Sequence, residues 1–355
     1  MTVRIDHHEL GGMPWVVVRG ERRAAFRALG EEFAGRIRDL VLGMPEIAAM
    51  RRYEATGTGA EALTELVRLT ERGAPEQHAE LAELAKGADM PLRTLLLANL
   101  RGDVPNEVIA TGCSDVLWRG RRSVLAHNED GTAGQEEHMV LLTLQLDGEP
   151  AVSSLWYPGF LPGNAFVVTG LGMVLGIDHI PLVQPRPGVG RHFVARGLHA
   201  VRGVEDVVRF LGRNPSAGGF AYNVGDLDTG RLVQVESASG STAMHEVTPA
   251  RPWAWHTNHL RHLTELPDRA SASSVARAQV LTRLSAPKAD PDTDWFVEVL
   301  TRSAPRGVHR DPVPGDQSAT LCSFVADLTT REVTVVRRGG TPVTISVDRL
   351  LGGPA

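Results

Sequence analysis

The hydrophobic period of this chain turns from helical to strand-like near residue 112, and that change constrains the fold more than any other feature of the sequence. After a short strand-like run, Trp15-Val16-Val17-Val18, residues 22–99 read as helix after helix. Phe33, Ile37, Leu40 and Val41 recur at helical spacing, as do Leu63, Leu66 and Leu69, and then Leu81, Leu84 and Ala85. Pro91 suits a first helical turn, and the run that ends at Leu100 completes a further helix. From Cys113 onward the pattern predicts short strands over 116–118, 123–127, 139–146, 151–156, 166–169 and 173–177, separated by turns such as Asp147-Gly148. Helices are predicted again over 191–199, 204–211, 273–284 and 294–302, and strands over 221–224, 232–236, 320–327 and 332–337. Elements grouped in blocks, rather than alternating as βαβ units, predict stacked layers of an α+β protein. The Pro-rich stretches 181–190 and 304–315 predict long loops and not linkers between domains.

At 355 residues, 42% hydrophobic and 22% charged, the chain can bury a substantial core without a covalent staple. Its net charge of −5, with 37 basic and 42 acidic residues, argues against a general nucleic-acid binder. Lys86 and Lys288 are the only lysines, so the basic charge is scattered arginine. Two cysteines, Cys113 and Cys322, are too few for a disulfide framework. With no signal-like opening and no apolar run of bilayer length, the expectation is a cytoplasmic protein that does not contact a membrane.

At the boundary between the two patterns lies Thr111-Gly112-Cys113-Ser114-Asp115, followed by His127-Asn128-Glu129-Asp130-Gly131. A thiol with a pKa of about 8.5 is mostly protonated at neutral pH, so a nucleophilic cysteine needs a base beside it. A free α-amino group, with a pKa of about 7.7 to 8, supplies one from within the same residue if the chain cuts itself before Cys113. Gly112 leaves the sulfur uncrowded as it attacks the preceding carbonyl, and Asp130 is placed to hold the new ammonium. Taken alone, the pentapeptide fits a small buried strand cysteine better than a nucleophile.

Other residues carry competing readings. His256, His259 and His262 invite a zinc site, but no glutamate of an HExxH kind accompanies them, and solvated or hydrogen-bonded histidines fit better. Gly170-Leu171-Gly172 with Gly176 lacks the spacing of a dinucleotide loop and reads as a tight strand connection. Cys322 reads as a small buried residue. His127 is either a second base, a substrate contact or a strand residue facing solvent, and Glu236 and Asp327 read as structural partners of arginines.

Several further motifs follow in order. They are the helix-turn-helix of residues 78–101, Gly159-Phe160-Leu161-Pro162-Gly163-Asn164, and Tyr222-Asn223 leading through Asp228-Thr229-Gly230 to Val235-Glu236. After them come Trp255-His256-Thr257-Asn258-His259, the helix start at 274–277, and Ala319-Thr320-Leu321-Cys322 with Ala326-Asp327. In their order and spacing, over residues 78 to 342, the chain resembles the acyl-coenzyme A:6-aminopenicillanic acid acyltransferase family, autoproteolytic linear-amide hydrolases of the N-terminal nucleophile superfamily.

The resemblance implies a four-layer αββα sandwich in which a mainly helical segment 1–112 and a strand-rich segment 113–355 form one domain. It implies cleavage between Gly112 and Cys113, with Cys113 as nucleophile in processing and in turnover, Asp130 supporting the new amino terminus and Asn258 donating to the oxyanion. Asp115, His127, Asn128, Tyr222 and Asn223 are the expected substrate-binding residues. The chain departs from the family at Asp115, where Thr or Ser is common, and at Asp178, where Asn is frequent. The implied substrate is a small linear amide or acyl thioester, and the expected setting is secondary metabolism. The partners are that substrate and the chain's own N-terminal fragment; a homo-oligomer is left open. No coenzyme A fingerprint is evident, so no cofactor is expected and hydrolysis is favoured over transfer. The alternatives are an uncut member of the same fold, and a metal-dependent hydrolase built on the three histidines.

Overall fold

The computed structural model describes residues 2–105, 112–284, 287 and 290–353, so Thr111 of the cleavage motif lies outside the described residues. Two antiparallel strands, β1 (Arg4–Leu10) and β2 (Met13–Gly20), open the chain. The side chains of β1 are largely exposed, so it carries no apolar signal; in β2 Val16, Val17 and Val18 are all buried. Six helices follow: α1 (Arg22–Glu32), α2 (Ala34–Gly43), α3 (Pro45–Glu54), α4 (Gly57–Gly73), α5 (Pro75–Gly87) and α6 (Leu92–Asn99). Their starts are chemically marked. Glu21 and Thr56 accept hydrogen bonds from first-turn amides, and Pro45 and Pro75 occupy first positions where a missing N–H is harmless. The stripes read from the sequence, Ile37, Leu40 and Val41, then Leu63 and Leu66, then Leu81 and Leu84, are buried.

Next come β3 (Gly112–Arg119), β4 (Ser123–Thr132), β5 (Val140–Leu146), β6 (Val152–Trp156), β7 (Phe166–Thr169) and β8 (Met173–Ile180). Helices α7 (Arg191–Gly197) and α8 (Val204–Arg213) lead to β9 (Gly219–Asp226), β10 (Leu232–Ala238), β11 (Ser241–Val247) and β12 (Trp253–His256). The chain closes with α9 (Ala272–Arg283), α10 (Thr293–Thr301), β13 (Ser318–Asp327), β14 (Glu332–Arg337), β15 (Val343–Ser346) and α11 (Val347–Gly352). Gly170 to Gly172 form the tight connection between β7 and β8, as the sequence suggests. Strands β1, β11, β12 and β15 and helix α11 are additions to the sequence reading. β11 and β15 are half exposed, and β12 and β15 are only four residues long, too short for a period to show.

The strands form two sheets, one of nine strands in the order β1-β2-β5-β6-β7-β8-β9-β10-β11 and one of six in the order β12-β3-β4-β13-β14-β15. The sheets face each other where β3 and β4 cross β8, β9 and β10. Helices α9 and α10 pack on the six-stranded sheet, while α8 lies on β9 to β11 and α1 on β2. A second apolar cluster, including Val116, Val124 and Ala126 with Leu281, Phe296 and Leu300, fills the space under α9 and α10. This is the expected α+β arrangement of two inner sheets and two outer helical layers. The central strands β8, β9, β10 and β13 are buried along their whole length because both faces are covered. The helical segment does not stand apart: β2 runs parallel to β5, so residues before 112 build one end of the larger sheet. Among the described residues no helix is long and apolar enough to cross a membrane.

The two sheets approach each other closely at Gly176 on β8. A Cβ there would lie 2.0 Å from Asp115 Oδ1 on the opposing sheet, well inside van der Waals contact. Gly176→Ala should therefore lower stability by about 1–3 kcal/mol, the usual range for overpacking. Removing the obstacle should relieve most of that loss, so a denaturant-melt double-mutant cycle with Asp115→Ala should show strong coupling; additive losses would mean that the contact is not what fixes residue 176.

Candidate active site

Side chains on adjacent strand positions point to opposite faces, and the β3–β4 register uses this to build two layers of chemistry. Cys113 opposes Glu129 and Asp115 opposes His127, so these four side chains enter the space between the sheets. Gly112 opposes Asp130 and Ser114 opposes Asn128, and these face the helices of the outer layer.

In the inner layer, Cys113 Sγ lies 3.5 Å from Glu129 Oε2. Glu129 Oε1 accepts from Tyr157 Oη at 2.7 Å, and its Oε2 lies 3.2 Å from His127 Nε2. His127 Nδ1 meets Asp115 Oδ2 at 2.9 Å. Across the sheet gap, Asp178 Oδ2 is 3.2 Å from His256 Nδ1, whose Nε2 is 3.0 Å from Glu236 Oε1. Asn223 Nδ2 donates to Asp178 at 2.9 Å and Gln234 donates to Asn223. Glu236 also accepts from the backbone amides of Arg261, His262 and Leu263. The result is a continuous file of carboxylates and imidazoles, all buried.

Buried charge has to be matched or neutralised, and the file does both. Burial opposes a charge on His127, but the Asp115 and Glu129 carboxylates outweigh it and raise its pKa. His256 is likewise lifted to about 9 by Asp178 and Glu236 against burial. Glu236 falls to about 2 despite burial, under the influence of His256 and the backbone amides. Burial and the neighbouring Asp178 carboxylate push Asp115 up to about 7. Asp115 Oδ1 and Asp178 Oδ1 are both buried without a hydrogen-bond partner. Burial, reinforced by Glu129, raises the Cys113 pKa well above that of a free thiol, so the intact chain holds a thiol here and not a thiolate.

In the outer layer, the Cys113 backbone is held at both ends. Its N–H donates to Asn258 Oδ1 at 2.9 Å, and its carbonyl accepts from Arg277. Arg277 also donates to Asn258 Oδ1 and Ser114 Oγ, both at 2.7 Å, and Asn258 Nδ2 donates to the His179 carbonyl at 2.9 Å. Asp130 Oδ1 accepts from Thr320 Oγ1 at 2.7 Å. Its Oδ2 is buried without a hydrogen bond, 3.6 Å from Arg310 and 4.0 Å from Arg277. A Cβ on residue 112 would lie 2.7 Å from an Arg310 nitrogen, which accounts for glycine there.

The structure thus gathers Gly112, Cys113, Asp115, His127, Asn223 and Asn258 at one place, with Asp130 beside them on the outer face. Asn128 is close in sequence but turned away, donating to the Leu300 carbonyl and accepting from Ser323. Tyr222 points from β9 to the face opposite Asn223, edge-on to Phe220, with its Oη unpartnered. The solvent-facing reading of His127 is overturned, because the inter-sheet register buries it completely. Asp327 does pair with an arginine, Arg122, but Glu236 takes His256 and backbone amides in place of one. The three histidines of residues 256–262 have separate surroundings: His259 lies against Ser274 and Thr257, and His262 stacks on His245. Cys322 is buried, as read. Glu129, Arg277 and Arg310 are the side chains around Cys113 that sequence reasoning passed over. Glu129 had one available signal, its position two residues after His127 on a strand, which puts both on one face.

The His256 pairing has a consequence for stability. Its pKa is about 9 in the fold against about 6.5 when unfolded, so the native state holds the extra proton and the stabilisation is complete below pH 6.5. That stabilisation is lost as pH rises through 9, with a contribution to the slope of at most about 1.4 kcal/mol per pH unit. Urea melts between pH 6 and pH 9.5 should show this decline, and His256→Gln should flatten it; an unchanged slope in the variant would assign the decline to other groups.

The comparisons with known proteins place the chain at the level of family. No curated protein matches the sequence. Among solved structures, a mutant of conjugated bile acid hydrolase from Clostridium perfringens is similar at 9% identity, covering 68% of this chain and 95% of that one with a TM-score of 0.40. The family model for acyl-coenzyme A:6-aminopenicillanic acid acyl-transferase matches residues 118–339, a span that includes Asp130, Tyr222, Asn223 and Asn258 and begins five residues after Cys113. That span is more than half of the 355 residues, and the chain belongs to the acyl-coenzyme A:6-aminopenicillanic acid acyl-transferase family.

Proposed function

We propose that this chain is a self-processing cysteine amidohydrolase or acyltransferase that cuts itself between Gly112 and Cys113 and then cleaves a small linear amide through a Cys113 thioester. The observation that carries the reading is the grip on Cys113. Asn258 and Arg277 fix its backbone nitrogen and oxygen, while Asp130 Oδ2, buried near Arg310 and Arg277 without a hydrogen bond, lies on the side of Gly112. Membership of an acyl-transferase family supports acyl chemistry at this position.

Once the bond is broken, the Cys113 nitrogen is a primary amine beside Asp130, Arg277 and Arg310. The carboxylate orients it, and the two guanidinium groups disfavour a further positive charge, so the amine is kept neutral and able to accept the thiol proton. The thiolate attacks the substrate carbonyl, and the protonated amine returns its proton to the leaving nitrogen. Asn258 Nδ2 has two hydrogens; one is on the His179 carbonyl, and the other is the side-chain donor assigned to the tetrahedral oxyanion. Water or an acceptor amine then resolves the thioester. Only 4% exposed, Cys113 is closed off in the intact chain, so cleavage both creates the base and frees the peptide end at residue 112.

Mass spectrometry of wild-type protein should show two fragments divided at 112/113, and Cys113→Ala should give one 38.3 kDa species without turnover. Persistent full-length wild type would support the uncut alternative, and a Cys113→Ala variant that stays active and needs zinc would support the metal-dependent one. Asn258→Ala in processed enzyme should reduce kcat by about 10²–10³-fold, the range for losing one oxyanion donor; a change below about threefold would remove that role.

A further inference from the structure

Resting on the self-cleavage reading, we propose that Glu129 is the general base of the first cleavage, acting before the α-amino group of Cys113 exists. In the intact chain the Cys113 nitrogen is an amide, and it donates its only hydrogen to Asn258. An amide nitrogen has no basic lone pair, so the proton shuttle of turnover is unavailable to the step that creates it. The thiol proton must go to another group, because burial keeps the sulfur protonated.

The register supplies that group. Glu129 lies directly across from Cys113 on the same face of the sheet, buried, with Oε2 at 3.5 Å from Sγ. Its aim is fixed from two sides. Tyr157 donates to Oε1, and Tyr157 is itself set edge-on to Phe160 at 6.1 Å; His127 contacts Oε2 and is anchored in turn on Asp115. Both holders leave Oε2 a lone pair directed at the sulfur. The same contacts give Asp115 and His127 a purpose: they hold the base and do not read a substrate.

The step balances without an outside reagent other than water. Glu129 takes the thiol proton as Sγ bonds to the Gly112 carbonyl carbon. The tetrahedral adduct collapses by breaking the bond from that carbon to the Cys113 nitrogen, and the proton passes from Glu129 to the departing nitrogen, which leaves as an amine. One water then adds to the resulting thioester, releasing the Gly112 carboxyl group and restoring the thiol. No oxidation or reduction takes place.

The test is a time course of cleavage in freshly made full-length protein, followed by intact mass, for wild type, Glu129→Gln, Glu129→Asp and Tyr157→Phe, each checked for folding by circular dichroism. Loss of a general base typically slows a step by about 10²–10⁴-fold. Glu129→Gln should fall in that range, Glu129→Asp should recover part of the rate, and Tyr157→Phe, which keeps the carboxylate but releases one holder, should be slowed severalfold. Folded Glu129→Gln cleaving within about threefold of wild type overturns this proposal and leaves self-processing intact. Should Glu129→Gln not fold, Tyr157→Phe decides, and a wild-type rate in that variant overturns the proposal. A wild type that never cleaves defeats the self-processing reading, and this one with it.

Discussion

The gap between the two sheets holds ionisable groups where a sandwich of this kind would ordinarily place apolar ones, and the rest of the site follows from how they are made tolerable there. Asp115, Glu129, Asp178 and Glu236 bring four carboxylates, and His127 and His256 bring two imidazoles. An isolated buried charge is strongly disfavoured, so each member is constrained by the next, and the backbone amides at residues 261–263 close one end of the file. Such a network has little freedom to move. The rigidity that results holds the carboxylate at the other end beside the sulfur.

The outer layer solves a different problem with the same strands. Residues one step along β3 and β4 face α9 and the loop that carries Arg310, and there the chemistry is cationic. Cys113 therefore has an acidic environment around its side chain and a basic one around its backbone. Under the proposed cleavage the first receives the thiol proton and the second disfavours a charge on the new amine. This division falls on one residue because the Cys113 side chain enters the gap between the sheets while Arg277 and Asn258 reach its main chain.

Much of this was legible in the sequence. The period change at Cys113, the apolar stripes of the helical third and the strand runs 123–127, 166–169 and 332–337 map onto real elements, because burial on one or both faces writes a regular pattern. The elements that escaped, β1, β11, β12, β15 and α11, are short or exposed and write none. Motif order pointed to Cys113, Asp130 and Asn258; Asn258 meets the Cys113 main chain, and Asp130 lies opposite Gly112 on the outer face. Asn128 and Tyr222 were placed by proximity in the motif, and alternation turns both away. Arg310 could not be found from the sequence, since nothing local distinguishes it from the other arginines; only the return of the chain through β13 brings it to Asp130.

The notch at Gly176 ties two distant positions into one unit of inheritance. A lineage that gains any side chain at 176 loses the room for a carboxylate at 115, and one that shortens residue 115 opens a void on β8. Only a paired change, a shorter residue at 115 together with a side chain at 176, keeps that space filled without a clash.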